Sequence, residues 1–455
     1  MGRQFDALVV GAGAGGISAA ARLTRAGYRV LLVEAQERVG GRASTRAVDG
    51  FLCNTGALVI EKDGAVGALY ADLALTLTLY EVPRASTAIK LGKTYYNISE
   101  GLLGKARTVL PRLLEAGASR WSRLRPGSGE STRDWIGRFS RNKALHGLID
   151  NLVGAMFAVP AEQFPADLFL RFFSKDTAYK HIGMPIGGTR CVWEPIVDYI
   201  DAHGGETWVN AAVERFQFGP DGQVTGARIR RDGQVVEIGC AIVVSNMGPD
   251  ATSRFVADVQ PDYAKTVAAW SEPAAILTAH FASRTPLADF PCLALYAHSR
   301  RLVYAGNFSA PELKRAPPGW HLYCAASVPR PATGAFDVEV EKALLVEDIK
   351  DHFPGFEESM LLTIDVTAHA WPAQRAVAGR DLPVDTPVAN LWNVGDGVKP
   401  WGMSGTASCA ESARVAVDQI LAKYPLEIFQ RHPQRKTEAS SLNCITRRES
   451  EDEWS

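Results

Sequence analysis

Glycine-rich segments at the ends of short apolar runs predict an α/β fold: a Rossmann-like parallel-sheet domain built from separated stretches of chain, with an interleaved α+β domain. The segments are Gly11-Ala12-Gly13-Ala14-Gly15-Gly16 after residues 7–10, Gly187-Gly188 and Gly204-Gly205 in mid-chain, and Gly395-Asp396-Gly397 after residues 391–394. The first is the most specific. Gly11 allows a tight strand-to-helix turn, Gly13 lets the backbone approach a pyrophosphate, and Gly16 lets helix and strand pack closely. Ala14 and Gly15 belong to the same turn. An alanine-rich helix over 17–26, a stop at Gly27 and a second apolar run at 30–33 lead to Glu34 and Ala35 at the spacing a dinucleotide site requires. The unpaired N–H groups and positive dipole end of that helix would attract phosphate, and the Glu34 carboxylate would accept bonds from ribose hydroxyls.

Residues 39–45 add a second glycine turn, Gly40-Gly41, with Arg42 beside it. This suits another approach to the pyrophosphate, which a nicotinamide enzyme does not need. Together with Gly50-Phe51-Leu52-Cys53-Asn54-Thr55-Gly56-Ala57, the segment resembles the flavin amine oxidase and phytoene desaturase superfamily. The resemblance implies noncovalent FAD in a domain of p-hydroxybenzoate hydroxylase/amine oxidase type. It places Arg42 near the diphosphate and Gly56 and Ala57 close to the isoalloxazine.

The resemblance returns twice. In the middle, Gly187-Gly188, a helix expected over 192–202, Gly204-Gly205 and the stretch ending in Val213 precede turns at Asp221-Gly222 and Asp232-Gly233 and a buried strand at 240–246. Family members touch the adenine through the backbone at the position of Val213. Near the far end, Gly395 and Asp396 close a strand, and Ser404-Gly405-Thr406 opens a helix to about 421 with small residues at helical spacing. The resemblance assigns Asp396 to the ribityl or diphosphate and aims the start of that helix, with Met403, Ser404 and Thr406, at the flavin pyrimidine. A helix N-terminus there would stabilise a reduced flavin anion.

Interleaving suggests a discontinuous FAD-binding domain of residues 1–80, 185–260 and 385–424. The substrate domain would comprise 81–184, expected to be largely helical, and 261–384, with strands near 275–281, 293–296, 302–304 and 321–328 and a helix near Val338–His352. Residues 425–455 would form an extension ending in a polar mobile tail. A formal net charge of -1 and 46% hydrophobic residues argue against nucleic acid as a partner and for a sizeable core. Seven cysteines without CxxC pairs or His-rich spacing indicate neither a disulfide scaffold nor a metal site. No run reaches the ~18 to 20 apolar residues that span a bilayer, and the expected compartment is cytoplasmic. The Leu- and Phe-rich segments 102–116 and 152–173 leave room for peripheral membrane contact, although core helices are the better reading.

A bound flavin supplies the redox chemistry, so no protein nucleophile or metal is required. With no second GxGxxG for a nicotinamide donor, the electron acceptor would be dioxygen, a quinone or another acceptor. Amine oxidases often place a lysine on a strand beside the flavin, whereas the expected strand here, 276–281, carries His280 and no lysine. His280, Trp371, Trp401 and Met403 are candidates for a substrate wall. Cys53 and Cys409 lie in cofactor motifs, but neither takes the position used for a covalent link. The leading expectation is therefore desaturation of an apolar terpenoid, carotenoid-like or lipidic molecule. Oxidation of C–N bonds with peroxide release is the alternative, and a prenyl-binding protein without flavin chemistry is a third, disfavoured by the intact motifs.

Overall fold

A computed structural model describes residues 3–81, 87–98, 117, 124–174, 182–377 and 379–430. The segment 102–116 and the tail from 431 lie outside these residues, so the structure does not address the expectations placed on them.

The first sheet has seven strands. Glu206–Trp208, Val30–Val33, Arg3–Val10 and Gln234–Ser245 run side by side in parallel, and Leu391–Asn393 pairs with the end of Gln234–Ser245, also in parallel. Val224–Arg231 and Ala211–Phe218 extend the sheet in antiparallel pairs. The two Asp-Gly turns make these connections. At Asp232-Gly233 both residues have positive φ (47 and 81°), the backbone that matches strand twist. Both faces of the parallel part are covered, which is why its strands read as continuous apolar runs. Ala7 and Val9 pack under the helices Ala14–Arg25 and Gly405–Lys423, while Leu8 and Val10 face Trp208, Ile229 and Val256. Buried Ala20, Ala413 and Ala416 keep side-chain volume small in the core that contains both helices.

The second sheet also has seven strands, in the order Met360–Thr367, Ile276–Ser283, His321–Ser327, Leu302–Asn307, Leu293–Tyr296, Thr87–Leu91, Thr94–Asn97. Residues Leu345 and Ile349 of the Val338–His352 helix cover one face against Phe281, Tyr296 and Tyr323. Near the opposite face, Val153 and Phe157 of Lys143–Phe157 pack with Leu168 of Ala166–Ser174, Val303 and Val328.

One sequence expectation needs correction. The 81–184 stretch is not helical throughout: Thr87–Leu91 and Thr94–Asn97 form a hairpin that adds the two edge strands. Its turn passes through Gly92 at φ 61°, and Ala88 and Tyr95 both pack in the core beneath the sheet. That apolar face is alternating but short, and a helical reading absorbs it easily. No helix among the described residues is long and apolar enough to cross a membrane.

Candidate functional site

The strands Arg3–Val10, Val30–Val33 and Leu391–Asn393 end at a cavity of about 1210 Å³. Such crevices beyond the carboxyl ends of parallel strands are the usual ligand sites of open α/β sheets. Gly11, at φ 96°, turns the chain, and its N–H donates to the Val33 carbonyl at 2.7 Å. The helix Ala14–Arg25 then starts from Gly13 with no side-chain cap, so its first amides are available to an anion. A Cβ on Gly16 would lie 1.9 Å from the Gly11 carbonyl oxygen, so the turn closes only around glycine there.

The second glycine turn rests on the first. Gly40 N–H donates to the Ala12 carbonyl at 2.7 Å, and a Cβ on Gly41 would sit 3.5 Å from the Gly13 Cα. Glu34 is buried and accepts from the Ala12 N–H at 2.8 Å and the Gln36 N–H at 2.9 Å. Burial raises its pKa against these bonds. Two backbone donors therefore fix the carboxylate while the residue still lines the cavity.

At the far wall Arg42 forms a bidentate pair with Asp396, one arm at 2.9 Å. The same guanidinium donates to the Pro372 and Ala373 carbonyls at 2.8 and 3.0 Å. Asp396 also accepts from the Arg375 N–H at 2.7 Å. Burial alone would raise the Asp396 pKa, but Arg42, Arg375 and Lys399 hold the carboxylate well below its ordinary range. Arg375, largely but not fully buried, has its pKa lowered to about 10 by desolvation and by Arg42. Lys399 is matched by Asp381 at 2.6 Å, so Arg42 and Arg375 share the single charge of Asp396. Because Asp250, which also attracts Arg375, is paired to Arg254 at 2.6 Å, a positive charge is left over beside the cavity among the described residues. The helix Gly405–Lys423 opens at the same place, again without a side-chain cap. Two uncapped helix starts, glycine turns a Cβ would fill and a surplus cation fit the diphosphate of a dinucleotide.

One cavity brings together Gly11, Gly13, Ala14, Gly15, Glu34, Ala35, Gly41, Arg42, Gly56, Ala57, Val213, Gly395, Asp396, Ser404 and Thr406, with Trp371 on the wall. Gly16 lies behind the turn. Three further candidates fall outside the lining. Trp401 stacks under the Arg171 guanidinium at 3.9 Å. Met403 closes a turn by donating its N–H to the Pro400 carbonyl at 3.1 Å. His280 shares a sheet face with Thr278, which does line the cavity, but sits one pleat farther along, fully buried with Nδ1 3.3 Å from the Thr363 hydroxyl.

Sequence reasoning missed Asn246, Gln374 and Arg375, which also line the cavity. Asn246 had a signal, being a polar residue at the carboxyl end of a parallel strand. Gln374 and Arg375 had one only through the resemblance, which sets residues 368–375 where family members face the flavin and substrate; they lie in a loop outside the glycine motifs. The remaining wall is mostly apolar and comes from helices and strands alike, for example Ile136, Leu152, Phe169, Ile276 and Tyr304. Cys409 lines the cavity with its thiol pushed up to about 12 by burial and Asp396, while Cys53 lies outside the lining.

His280 instead has a consequence for stability. Burial, then Arg315 and Arg46, lower its pKa to about 3. Unfolded, it would take up a proton near pH 6.5. Between these values the unfolded chain binds more protons, so His280 makes stability fall as pH drops below 6.5, by up to about 1.4 kcal/mol per unit. Between pH 8 and 5, His280→Gln is expected to show a flatter denaturation midpoint than the unmodified chain. Parallel profiles would refute this protonation state.

A family model described as flavin containing amine oxidoreductase matches residues 14–421. The chain is similar to (S)-6-hydroxynicotine oxidase of Paenarthrobacter nicotinovorans, 38% identical over 88 residues, covering 19% of this chain and 20% of that one. It is also similar to a lycopene-forming phytoene desaturase of Paracoccus, 41% identical over 80 residues, covering 17% and 16%. These matches span a fifth or less of the relatives' own length. Among solved structures, an oxidoreductase from Methanosarcina mazei superposes with a TM-score of 0.78 at 23% identity, covering 91% of this chain and 100% of that one. Putrescine oxidase bound to putrescine does so at 0.65 and 17%, covering 92% and 99%. At such identities the superpositions speak for the fold.

Proposed function

Because the chain belongs to the flavin containing amine oxidoreductase family, we propose that it is an FAD-dependent oxidoreductase that oxidises a largely apolar small molecule. The single observation that carries this is the convergence of the glycine turns at 11–15 and 40–41 with the remote turn at 395 on a cavity that continues into an apolar chamber. We assign the first sheet and its helices, from 1–80, 185–260 and 385–424, to the FAD-binding domain, and 81–184 with 261–384 to the substrate domain.

When bound, FAD supplies a ring that accepts a hydride from a substrate carbon. The chain's own residues position and shield. The turn at Gly11–Gly16 and the start of Ala14–Arg25 bind the diphosphate, Glu34 holds the ribose, and the Gly405–Lys423 helix start supports negative charge at the far end. The apolar walls exclude water, and Trp371, packed beside the Gly41 turn, bounds the chamber. Glu34→Ala is expected to weaken FAD binding by about 1.5–3 kcal/mol, the range for a hydrogen bond to a charged group. Titration of the apoprotein with FAD measures it, and an unchanged affinity would remove Glu34 from the cofactor site.

On the bond oxidised, relatives acting on C–N substrates give the alternative more support than the desaturase expectation. We therefore propose oxidation beside nitrogen in a lipophilic amine, with dioxygen as acceptor. Glu61 is the one cavity acid outside the cofactor cradle among the described residues, and its charge suits an ammonium. A specific observation favours the second reading, C–C desaturation: no lysine lines the cavity among the described residues. The strand Ile276–Ser283 gives it only Ile276 and Thr278, and Lys90, on the hairpin at the far edge of the same sheet, donates to the His352 carbonyl at 2.7 Å.

Anaerobic mixing of the yellow holoprotein with hydrophobic amines and with polyenes decides between them. Bleaching by amines, with peroxide formed in air, supports the first reading. Bleaching by polyenes alone replaces it with the second. A protein that takes up no FAD overturns both.

A further inference from the structure

Asn246 directly follows the central strand Gln234–Ser245 of the first sheet, between the two glycine turns that belong to opposite ends of the chain. The turns crowd around its side-chain amide. A Cβ on Gly13 would meet that amide at 2.5 Å, one on Gly15 at 2.8 Å and one on Gly395 at 2.7 Å. The Asn246 Cβ would itself lie 3.1 Å from a Cβ on Gly16. In the amide orientation that satisfies its neighbours, the oxygen accepts from the Gly13 N–H at 3.1 Å and the nitrogen donates to the Val394 carbonyl at 3.2 Å.

One side chain thus bonds both turns. The Gly13 turn carries the helix start offered to the diphosphate, and Val394 precedes the Gly395–Asp396 turn with its Arg42 pair. The turns also touch directly: a Cβ on Gly15 would sit 2.9 Å from the Gly395 nitrogen. Backbone bonds anchor each turn to the sheet, Asn246 N–H to the Val10 carbonyl at 2.8 Å and Val394 N–H to the Ser245 carbonyl at 2.9 Å, and the Gly395 N–H donates to the Ser412 hydroxyl at 2.8 Å. The Asn246 amide adds the side-chain link between the turns themselves, which glycine cannot supply.

We infer that Asn246 is a positioning residue that fixes the spacing between the first glycine turn and the Gly395–Asp396 turn, so that one ligand can engage both at once. The inference rests on the reading of the cavity as an FAD site. It makes a specific demand. A ligand using only the first turn, such as ADP, does not need the spacing, whereas FAD, spanning both turns, does. Asparagine suits the post because it carries one donor and one acceptor on a short stem. Aspartate would keep the acceptor for Gly13, lose the donor to Val394 and set a negative charge beside the phosphates.

The test compares Asn246→Leu, which keeps the γ-branched shape without the bonds, with Asn246→Ala, which leaves space, and Asn246→Asp. Each apoprotein is titrated with FAD and with ADP, and its amide exchange is followed by mass spectrometry without ligand. For Leu and Ala, FAD affinity is expected to fall by about three- to tenfold or more, the loss of one to two hydrogen bonds, with ADP affinity held within about twofold. Residues 11–16 and 394–396 should exchange faster. The Asp variant should weaken ADP and FAD together, and added salt should reduce that loss.

An equal loss of ADP and FAD in the Leu and Ala variants, or unchanged FAD binding with unchanged exchange, would overturn the inference. If the unmodified chain binds neither ligand, the FAD reading falls, while the exchange comparison still decides whether Asn246 holds the two turns.

Discussion

Replacing Gly15 with valine is expected to yield a folded protein that stays colourless after incubation with FAD. A Cβ at this position would lie 2.9 Å from the Gly395 nitrogen and 2.8 Å from the Asn246 amide. The first contact is backbone and cannot rotate away, so the two turns must separate. Two further methyl groups would project into the crowded start of the helix Ala14–Arg25, where the diphosphate is proposed to sit. Overpacking of this kind involves about 1–3 kcal/mol of strain, and each lost bond to a charged phosphate adds about 1.5–3 kcal/mol. Together these predict an affinity loss on the order of 100-fold or more. Gly137→Ala is the control, since a Cβ there meets nothing within 4 Å. Absorbance of the desalted protein at flavin wavelengths gives the result. A Gly15→Val protein that remains yellow at full occupancy would mean that the turns do not converge on the ligand.

Asp396→Ala should act more broadly. The carboxylate pairs with Arg42 through two bonds, accepts from the Arg375 N–H and lies in a site where both guanidinium groups are largely buried. Removing it leaves two neighbouring cations, Arg42 and Arg375, with only the weaker pull of Asp250 on Arg375 to offset them. Breaking a buried pair from one side typically destabilises by about 3–5 kcal/mol, because the remaining charge keeps its desolvation penalty. The apoprotein should therefore unfold at a lower denaturant concentration, and FAD uptake should fall with it.

The pH dependence follows from the sign of the shift. Asp396 is held below its unfolded value in the fold, so its contribution is fully present above the unfolded carboxylate pKa of about 3.9 and is lost only as pH falls through the lower folded value. Between pH 5 and 8, the difference between Asp396→Ala and the unmodified apoprotein should stay constant. A difference that grows or vanishes across that range, or an apoprotein of unchanged stability, would show that the pair is not the buried ionic contact described here.

The two substitutions also separate what the glycine motifs do from what the charges do. Gly15 acts through distance alone, whereas Asp396 acts through charge balance before any ligand arrives. His280 belongs to neither group. It was a reasonable candidate for the substrate wall from its strand, yet the strand period carries it past the cavity after Thr278. A count along a strand tells which face a residue shares, but not where on that face a cavity ends. Trp401 and Met403 lie outside the lining for a related reason: in a loop there is no period to follow, and Trp401 stacks with Arg171 instead.

Several features needed nothing beyond the order of residues. The first turn, with Gly11 at positive φ and Gly16 against the Gly11 carbonyl, was legible because only glycine satisfies those positions. So were the acid after the second strand, the Asp-Gly turns and the helix Val338–His352, each written in local chemistry with its own spacing. Tertiary structure alone decided which remote pieces meet. The pairing of Arg42 with Asp396, across 354 positions, the placing of Arg375 beside them and the wedge of Asn246 between two turns depend on how the sheet stacks its strands. The same holds for the apolar part of the cavity, whose side chains come from helices and strands far apart in the chain, such as Ile136, Phe169 and Tyr304. Apolar residues look alike in sequence whether they fill a core or line a cavity, because burial and lining both require only that they shun water.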